Sequence, residues 1–598
     1  MNRQDEENLT VYCMMPVSRR TGPGMNPRGC LLWAVVLLLI AACNTESSPP
    51  QPPPPSSGNA VLKEVSEAVG LDFTHVNGMS GQKYFVEMAG AGGALFDYDN
   101  DGDLDAYLVQ GHPIGADAPE QAAHKDQLYR NDLVETGALR FTNVTEASGL
   151  EATGYGMGVA TGDVDNDGFV DLYVTNWGAN QLWRNNGDGT FSDVTQPGIT
   201  DDPRWSTSAA FIDYDRDGWM DLMVVNYVAY RLENEHKCFA NRSGRRDYCG
   251  PQSYEPEPDR LLHNRGDGTF EDVTLTMGMA RTYGAGLGTV VADFNDDAWP
   301  DIYVANDGME NQMWINQAGG RFENQAVVGG TAVNMQGATE ASMGVVAADF
   351  DSDGDEDLFM THLNGETNTF YANLGQGLFE DRSRRAGLGQ ASWPYTAFGT
   401  GAFDYDLDGW LDLFIANGEV RIIPAQADAG DPLPLRQPNQ LFRNLGDGRF
   451  EEVPAWGGGD TDLAEVSRGV AFGDVDNDGD PDVLLFNNNG PARLLRNEVG
   501  QAASWIGLRL VEEAGRDAPG ARAALRRADD TTLWRRSHTD GSYCAAHDPR
   551  IQFGLGQDPA YEQIRVVWPD GTVEEWSGLE TGSYHTLAKG QGRGVVDS

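Results

Sequence analysis

The feature that most constrains this chain is a nine-residue stretch that recurs seven times. Its clearest copy is Asp163-Val164-Asp165-Asn166-Asp167-Gly168-Phe169-Val170-Asp171, with carboxylates at positions one, three, five and nine and glycine at six. The same register carries Asp97, Asp99, Asp101, Asp103 and Asp105, then Asp213, Asp215, Asp217, Trp219 and Asp221. It returns with Asp349, Asp351, Asp353, Asp355 and Asp357, with Asp404, Asp406, Asp408, Trp410 and Asp412, and with Asp474, Asp476, Asp478, Asp480 and Asp482. A degenerate copy, fourth in chain order, has Asp293, Asn295, Asp297, Trp299 and Asp301, with Ala298 in place of the glycine.

Alternate residues of a tight turn point inward, so positions one, three and five converge. Glycine at six permits the bend, the residue at seven can offer its backbone carbonyl, and the acid at nine closes the cage. An all-oxygen, roomy and flexible donor set suits Ca²⁺ better than Mg²⁺, which demands a stricter octahedron. Asp, Asn and Gly also simply make good turns, but seven copies in one register point to about seven Ca²⁺ sites. The fourth loop departs from the pattern. An EF-hand needs a bidentate Glu at position twelve, and Leu108 and Val174 stand there. The flanking runs, such as Leu172-Tyr173-Val174, are short and β-rich, which places the loops in strand–loop–strand hairpins.

Each loop belongs to a longer unit. A strand of small residues precedes it, as in Gly284 to Gly288. A segment such as Gln181-Leu182-Trp183-Arg184-Asn185 follows it, and then a Gly-Asp-Gly turn leading to a phenylalanine, at Phe191, Phe270 and Phe450. Four strands per unit predict an all-β, seven-bladed β-propeller over residues 61–502. Six turn–Phe strands follow loops, and Val61 to Leu71 parallels Phe141 to Leu150. The N-terminal strand is therefore expected to complete the last blade and remove the exposed edges.

The 598 residues include 91 acidic and 42 basic side chains. Seven divalent ions would leave the surface acidic, which disfavours nucleic acid as a partner. The chain has no Gly-rich phosphate loop, no His-Glu-x-x-His and no Gly-x-Ser-x-Gly, and no catalytic residue is assigned. Arg28 precedes an apolar run from Leu31 to Ala42 that ends at Cys43, so residues 1–43 read as a secretory leader. Residues 44–60 contain the stiff spacer Pro49 to Pro55. Cys238 and Cys249 close a short insertion with Arg242, Arg245 and Arg246. They are expected to form a disulfide, as an oxidising compartment allows. Cys544 receives no role.

The propeller units resemble the FG-GAP, or VCBS, repeats of integrin α-subunits and of bacterial surface proteins, a resemblance that implies Ca²⁺ in the Asp loops. The Ala-Ala-Cys43 ending resembles a bacterial lipobox and implies a lipid on Cys43, with attachment to the outer membrane or cell surface. From Trp505 the loops stop. Pro519-Gly520-Ala521-Arg522, Phe553-Gly554-Leu555-Gly556 and Trp568-Pro569-Asp570-Gly571, in that order, resemble the ASPIC/UnbV domain, expected over residues 503–592 as a small accessory β-sandwich. The expected function is that of an exported, non-enzymatic surface protein presenting the propeller to a protein or glycan. The alternative is a carbohydrate-active enzyme or lectin with Trp177, Trp205 or Trp393 stacking on sugars.

Overall fold

The computed structural model describes residues 61–115, 124–240, 244–454, 463–512 and 515–595. The leader, Cys43, the spacer and Arg242 lie outside these residues. Among the described residues are seven blade sheets, each with four antiparallel strands around one Asp loop, and the first of them carries a fifth, parallel strand. In the second, Gly156–Gly162, Asp171–Asn176, Gln181–Asn185 and Phe191–Asp193 lie side by side, with Val159 opposite Val174, Leu172 opposite Trp183 and Asn185 opposite Phe191. The second strands are buried along their whole length, as in Asp171–Asn176, Asp221–Asn226 and Asp301–Asn306. Neighbouring sheets cover both of their faces, which is why they read as continuous apolar runs and not as an alternation.

The innermost strands touch in a closed cycle: Gly93–Phe96, Gly156–Gly162, Ser206–Ile212, Gly286–Ala292, Val345–Ala348, Ala397–Phe403, Ser467–Gly473 and back to the first. The N-terminal strand Leu62–Glu64 pairs with Arg493–Asn497, Leu62 opposite Asn497, and supplies the outer strand of the last sheet. The turn–Phe residues pack between blades as their position predicts. Phe191 lies on Tyr98, Phe322 on Tyr214, Phe379 on Phe294 and Phe450 on Phe350, with centroids 6.3, 6.0, 6.2 and 5.7 Å apart.

The C-terminal region is a sandwich of two sheets. Ser504–Val511 lies between Ile551–Gly556 and Tyr584–Ala588. Against it pack Arg522–Arg527, Thr532–Arg536, Tyr561–Val567, Val573–Trp576 and Arg593–Gly594. Ile506, Leu508, Leu525, Phe553, Ile564 and Val566 fill the space between them. The region is not confined to the sandwich. Residues 537–550 leave the sandwich and run into the axis of the ring. Ala545–Ala546 adds a parallel strand beside Gly93 and Ala94. Ser542 pairs with Val345, the Cys544 N–H donates to Ser208 Oγ at 3.1 Å, and the Tyr543 hydroxyl donates to the Ala89 carbonyl at 3.0 Å. The small residues of the inner strands make room for this strap, since a Cβ on Gly92 or Gly158 would strike the backbone of Cys544.

The other end of the axis is closed by aromatic side chains. Phe85, Trp205, Tyr227 and Tyr230 are buried there together with Leu433, Leu435 and Val466. Cys238 and Cys249 are joined by a disulfide in the insertion beside them. Two of the insertion's basic side chains are paired: Arg246 lies 3.0 Å from Glu235 and Arg245 lies 3.0 Å from Asp428.

Candidate metal centre

The loops share one hydrogen-bond scheme, and it explains their spacing. The position-one carboxylate accepts the N–H groups of positions five and six. Asp163 takes those of Asp167 and Gly168 at 3.2 and 2.8 Å, and Asp474 those of Asp478 and Gly479 at 3.1 and 2.8 Å. The position-nine acid accepts one N–H from position two of its own loop and one from the asparagine that ends the third strand. For Asp171 the donors are Val164 at 2.8 Å and Asn185 at 2.7 Å.

That asparagine recurs in all seven blades as Asn131, Asn185, Asn264, Asn316, Asn373, Asn444 and Asn497. Its side-chain amide donates to the position-two carbonyl of the preceding loop. Asn185 reaches Tyr98 at 2.7 Å, and Asn131 closes the ring by reaching Val475 at 2.8 Å. The terminal asparagine of segments such as Gln181 to Asn185 was the visible signal for this inter-blade latch. Sequence reasoning noted the segment and assigned it no role.

Within a loop the acids converge. One oxygen from each of Asp97, Asp99 and Asp105 lies within 4.8 Å of the others, and the same holds for Asp163, Asp165 and Asp167, for Asp213, Asp215 and Asp217, and for Asp349, Asp351 and Asp353. The position-three Oδ1 atoms of Asp99, Asp165, Asp351, Asp406 and Asp476 are buried without a hydrogen-bond partner. Burial, and then the neighbouring carboxylates, pushes the acids up: Asp163 to about 6, Asp349 to about 7, Asp171 to about 8 and Asp221 to about 9. Orphaned hard oxygens and like-charge crowding are what a divalent cation would relieve, so the residues fit such an ion.

The side chains at position seven face elsewhere. The rings of Phe169, Trp219 and Trp410 lie over Gly187, Gly266 and Gly446 of their own blade's turn, where a Cβ would collide with them, and Trp299 lies near Gly319. Asp103 accepts the Val134 N–H at 2.8 Å. Asp355 sits beside Asp296 of the neighbouring loop, and burial and that contact raise it to about 6. Both oxygens of Asp480 are buried without a partner.

Two loops deviate. Ala298 adopts the left-handed φ of 69° that glycine takes elsewhere, and its N–H still donates to Asp293 at 2.8 Å. Asn295 turns its amide onto Asp297 at 3.1 Å. In the sixth loop the Arg443 guanidinium lies 2.9 Å from both Asp406 and Asp408.

The loop face is covered. The C-terminal sandwich and strap lay a set of arginines on it. Arg550 donates to the Asp474 carbonyl at 2.9 Å and to Asn477 Oδ1 at 2.8 Å. Arg527 donates to the Asp408 carbonyl at 3.1 Å and Arg535 to that of Gly409 at 2.9 Å. Arg522 lies 3.5 Å from Asp296, and the Tyr584 hydroxyl donates to Asp474 Oδ2 at 3.0 Å. This cap was not foreseen, although Arg522 stands in one of the motifs that marked the domain.

Six overlapping matches to the FG-GAP-like repeat cover residues 97–174, 163–224, 241–304, 293–360, 349–415 and 404–485. The chain belongs to the FG-GAP-like repeat family. ASPIC and UnbV matches residues 512–594, behind the FG-GAP array. Among similar proteins are the cartilage acidic proteins 1. The Xenopus tropicalis protein is 25% identical over 507 residues, 81% of this chain and 70% of that one. The Mus musculus protein is 27% identical over 334 residues, 54% of this chain and 48% of that one. The chain thus spans about half the length of the mouse relative. Solved structures that align with it include an Agrocybe aegerita lectin that recognises non-reducing terminal N-acetylglucosamine. It has 15% identity and a TM-score of 0.37, over 70% of this chain and 93% of that one. YCF48 bound to D1 peptide aligns with 8% identity and a TM-score of 0.37, over 75% of this chain and 99% of that one.

Proposed function

We propose that this FG-GAP propeller is an exported, calcium-binding, non-enzymatic protein that presents its ring to a protein or glycan ligand. The observation that carries the calcium reading is the row of buried, unpartnered position-three oxygens at Asp99, Asp165, Asp351, Asp406 and Asp476. Each stands in a loop whose position-one and position-nine carboxylates accept backbone N–H donors, as Asp163 and Asp171 do. In this reading Asp97, Asp163, Asp213, Asp293, Asp349, Asp404 and Asp474 supply one ligand per loop, joined by positions three, five and nine. Ca²⁺ would offset part of the carboxylate charge and stiffen the hairpin that joins the two inner strands of each blade. The leader, with Cys43 as its lipid site, and the Cys238–Cys249 disulfide support a place on the outer membrane or cell surface.

The ligand face is the one opposite the loops, because the sandwich occupies the loop side and the strap occupies the axis. An open groove of 760 Å³ lies there, lined among others by Met79, Tyr84, Ile114, Leu433 and Arg436. The test is a glycan array together with a polysaccharide-degradation screen, both in Ca²⁺. Binding without turnover, weakened by Tyr84→Ala and Arg436→Glu, is the expected result. Turnover of any glycan contradicts the non-enzymatic reading.

A further inference from the structure

The fourth residue of the third strand sits beside the Asp loop in every blade. It is Arg130, Arg184, Ile315, Ala372, Arg443 or Arg496 in six of them and His263 in the third. Arg184, Arg443 and Arg496 approach position three of their loops, at 4.0, 2.9 and 3.8 Å. His263 replaces a guanidinium there with a metal-binding nitrogen. Its Nδ1 lies 3.0 Å from Asp221 Oδ1 and 3.6 Å from Asp215 Oδ2, and one ligand atom from each of the three residues lies within 4.8 Å of the other two.

Those spacings match a small coordination sphere. Zinc–nitrogen and zinc–oxygen bonds of 2.0–2.2 Å in a tetrahedron place neighbouring ligand atoms about 3.3 Å apart. Asp215 also presents two separate oxygens. Oδ1 accepts the Asp217 N–H inside the loop at 3.3 Å, and Oδ2 faces the imidazole. Asp221 is buried, while His263 and Asp215 remain partly open to solvent. The Tyr214 ring stands edge-on to the imidazole at 5.9 Å and holds its orientation. The four carboxylates of this loop carry more charge than one divalent ion removes. An imidazole with two carboxylates prefers a borderline ion such as Zn²⁺ to Ca²⁺, which seeks oxygen.

We propose that the third blade carries an additional metal site, formed by His263, Asp215 and Asp221, that takes a borderline divalent ion such as Zn²⁺ and shares Asp215 and Asp221 with the Asp loop. It is distinct from the calcium reading, because its defining ligand is a nitrogen that the other loops lack. The experiment is equilibrium dialysis of the chelator-stripped protein in saturating Ca²⁺ against Co²⁺ and then Zn²⁺. Both metals and Ca²⁺ are counted, and the visible Co²⁺ bands are recorded. Wild type is expected to retain one Co²⁺ or Zn²⁺ that His263→Gln and His263→Arg bind at least ~10-fold more weakly, with Ca²⁺ counts unchanged. His263→Arg restores the residue type of Arg184 and Arg496, so it is suited to folding. If both variants unfold, the wild-type Co²⁺ spectrum decides by showing or lacking bands of a nitrogen-ligated ion. Equal retention in all three proteins, or no Co²⁺ on wild type in excess Ca²⁺, overturns the proposal and leaves His263 as a hydrogen-bond donor to Asp221.

Discussion

The two ends of the ring axis are closed by different chemistry. At the loop end the seal is ionic and polar: Arg550, Arg535 and Arg527 donate to loop carbonyls beneath a separate sandwich. At the far end it is apolar, with Phe85, Trp205, Tyr227 and Tyr230 packed edge to face or tilted at 5.1–5.8 Å. The contrast follows from the hairpins. Every inner strand delivers its acids to one end, and a cover for that end must bring positive charge or metal ions. The other end carries no such array and can be filled like any core. One charged group crosses this division. Arg468 is fully buried near the aromatic end, where it donates to the Met88 and Gly418 carbonyls at 2.7 and 2.9 Å, and its guanidinium lies 4.1 Å from the Phe398 ring centroid.

Substitutions at the two ends should therefore fail in different ways. Trp205→Ala empties the centre of the apolar seal and should cost about 3–5 kcal/mol in urea unfolding, with little dependence on salt or Ca²⁺. Arg550→Ala strips the largely buried cation that lies 2.8 Å from Asp548 and 4.4 Å over Tyr584. It should cost up to about 3–5 kcal/mol and expose residues 537–550 to limited proteolysis while the propeller stays folded. Global unfolding in place of local release would mean that the cap and ring are one cooperative unit.

Two acids at the far end are held chiefly by neutral donors. Asp126 accepts the Gln110 N–H and the Tyr107 hydroxyl, both at 2.7 Å, and Asp259 accepts the Asn226 N–H at 2.9 Å. Burial pushes each up to about 7. Unfolding returns them to the ordinary carboxylate range, so the folded state holds the extra protons. Their contribution is complete below about pH 4 and is lost as pH rises through 7, by up to about 1.4 kcal/mol per pH unit for each. Asp126→Asn keeps the acceptor for Gln110 without needing a proton, and should flatten the fall in unfolding free energy between about pH 4 and pH 7. An unchanged slope would place the titration elsewhere. The smallest effect is expected at the degenerate loop. Ala298→Gly releases a left-handed alanine and should raise stability by about 1 kcal/mol, read as a small rise in unfolding midpoint.

Much of this architecture was legible because it repeats. Seven loops in one register gave the blade count, and the likeness of Val61–Leu71 to Phe141–Leu150 gave the closing strand. The phenylalanines after the Gly-Asp-Gly turns gave the packing between blades. The asparagine latch was equally repetitive, but an asparagine at a strand end reads as a turn residue until its partner on the next blade is known. The strap was not legible. Its contacts join Cys544 to Gly92 and Gly158, hundreds of residues away, and occur once. Glycines that read as crowding at the axis are in fact shaped to a segment of another domain. The arginine cap was hidden for the same reason, since Arg522, Arg535 and Arg550 look like ordinary surface charges until the acidic loops are set beneath them.

The central claim, that the Asp loops are cation cages which stabilise the ring, is tested most directly by thermal unfolding with Ca²⁺ and with chelator, alongside metal analysis. At free Ca²⁺ a hundredfold above the dissociation constant, each site that binds only the folded state adds about 2.7 kcal/mol. The account expects several Ca²⁺ per chain and a midpoint that rises by many degrees over the chelated protein. An identical midpoint with no bound metal would contradict it and leave the loops as hydrogen-bonded turns held by their asparagine latches and their arginine cap.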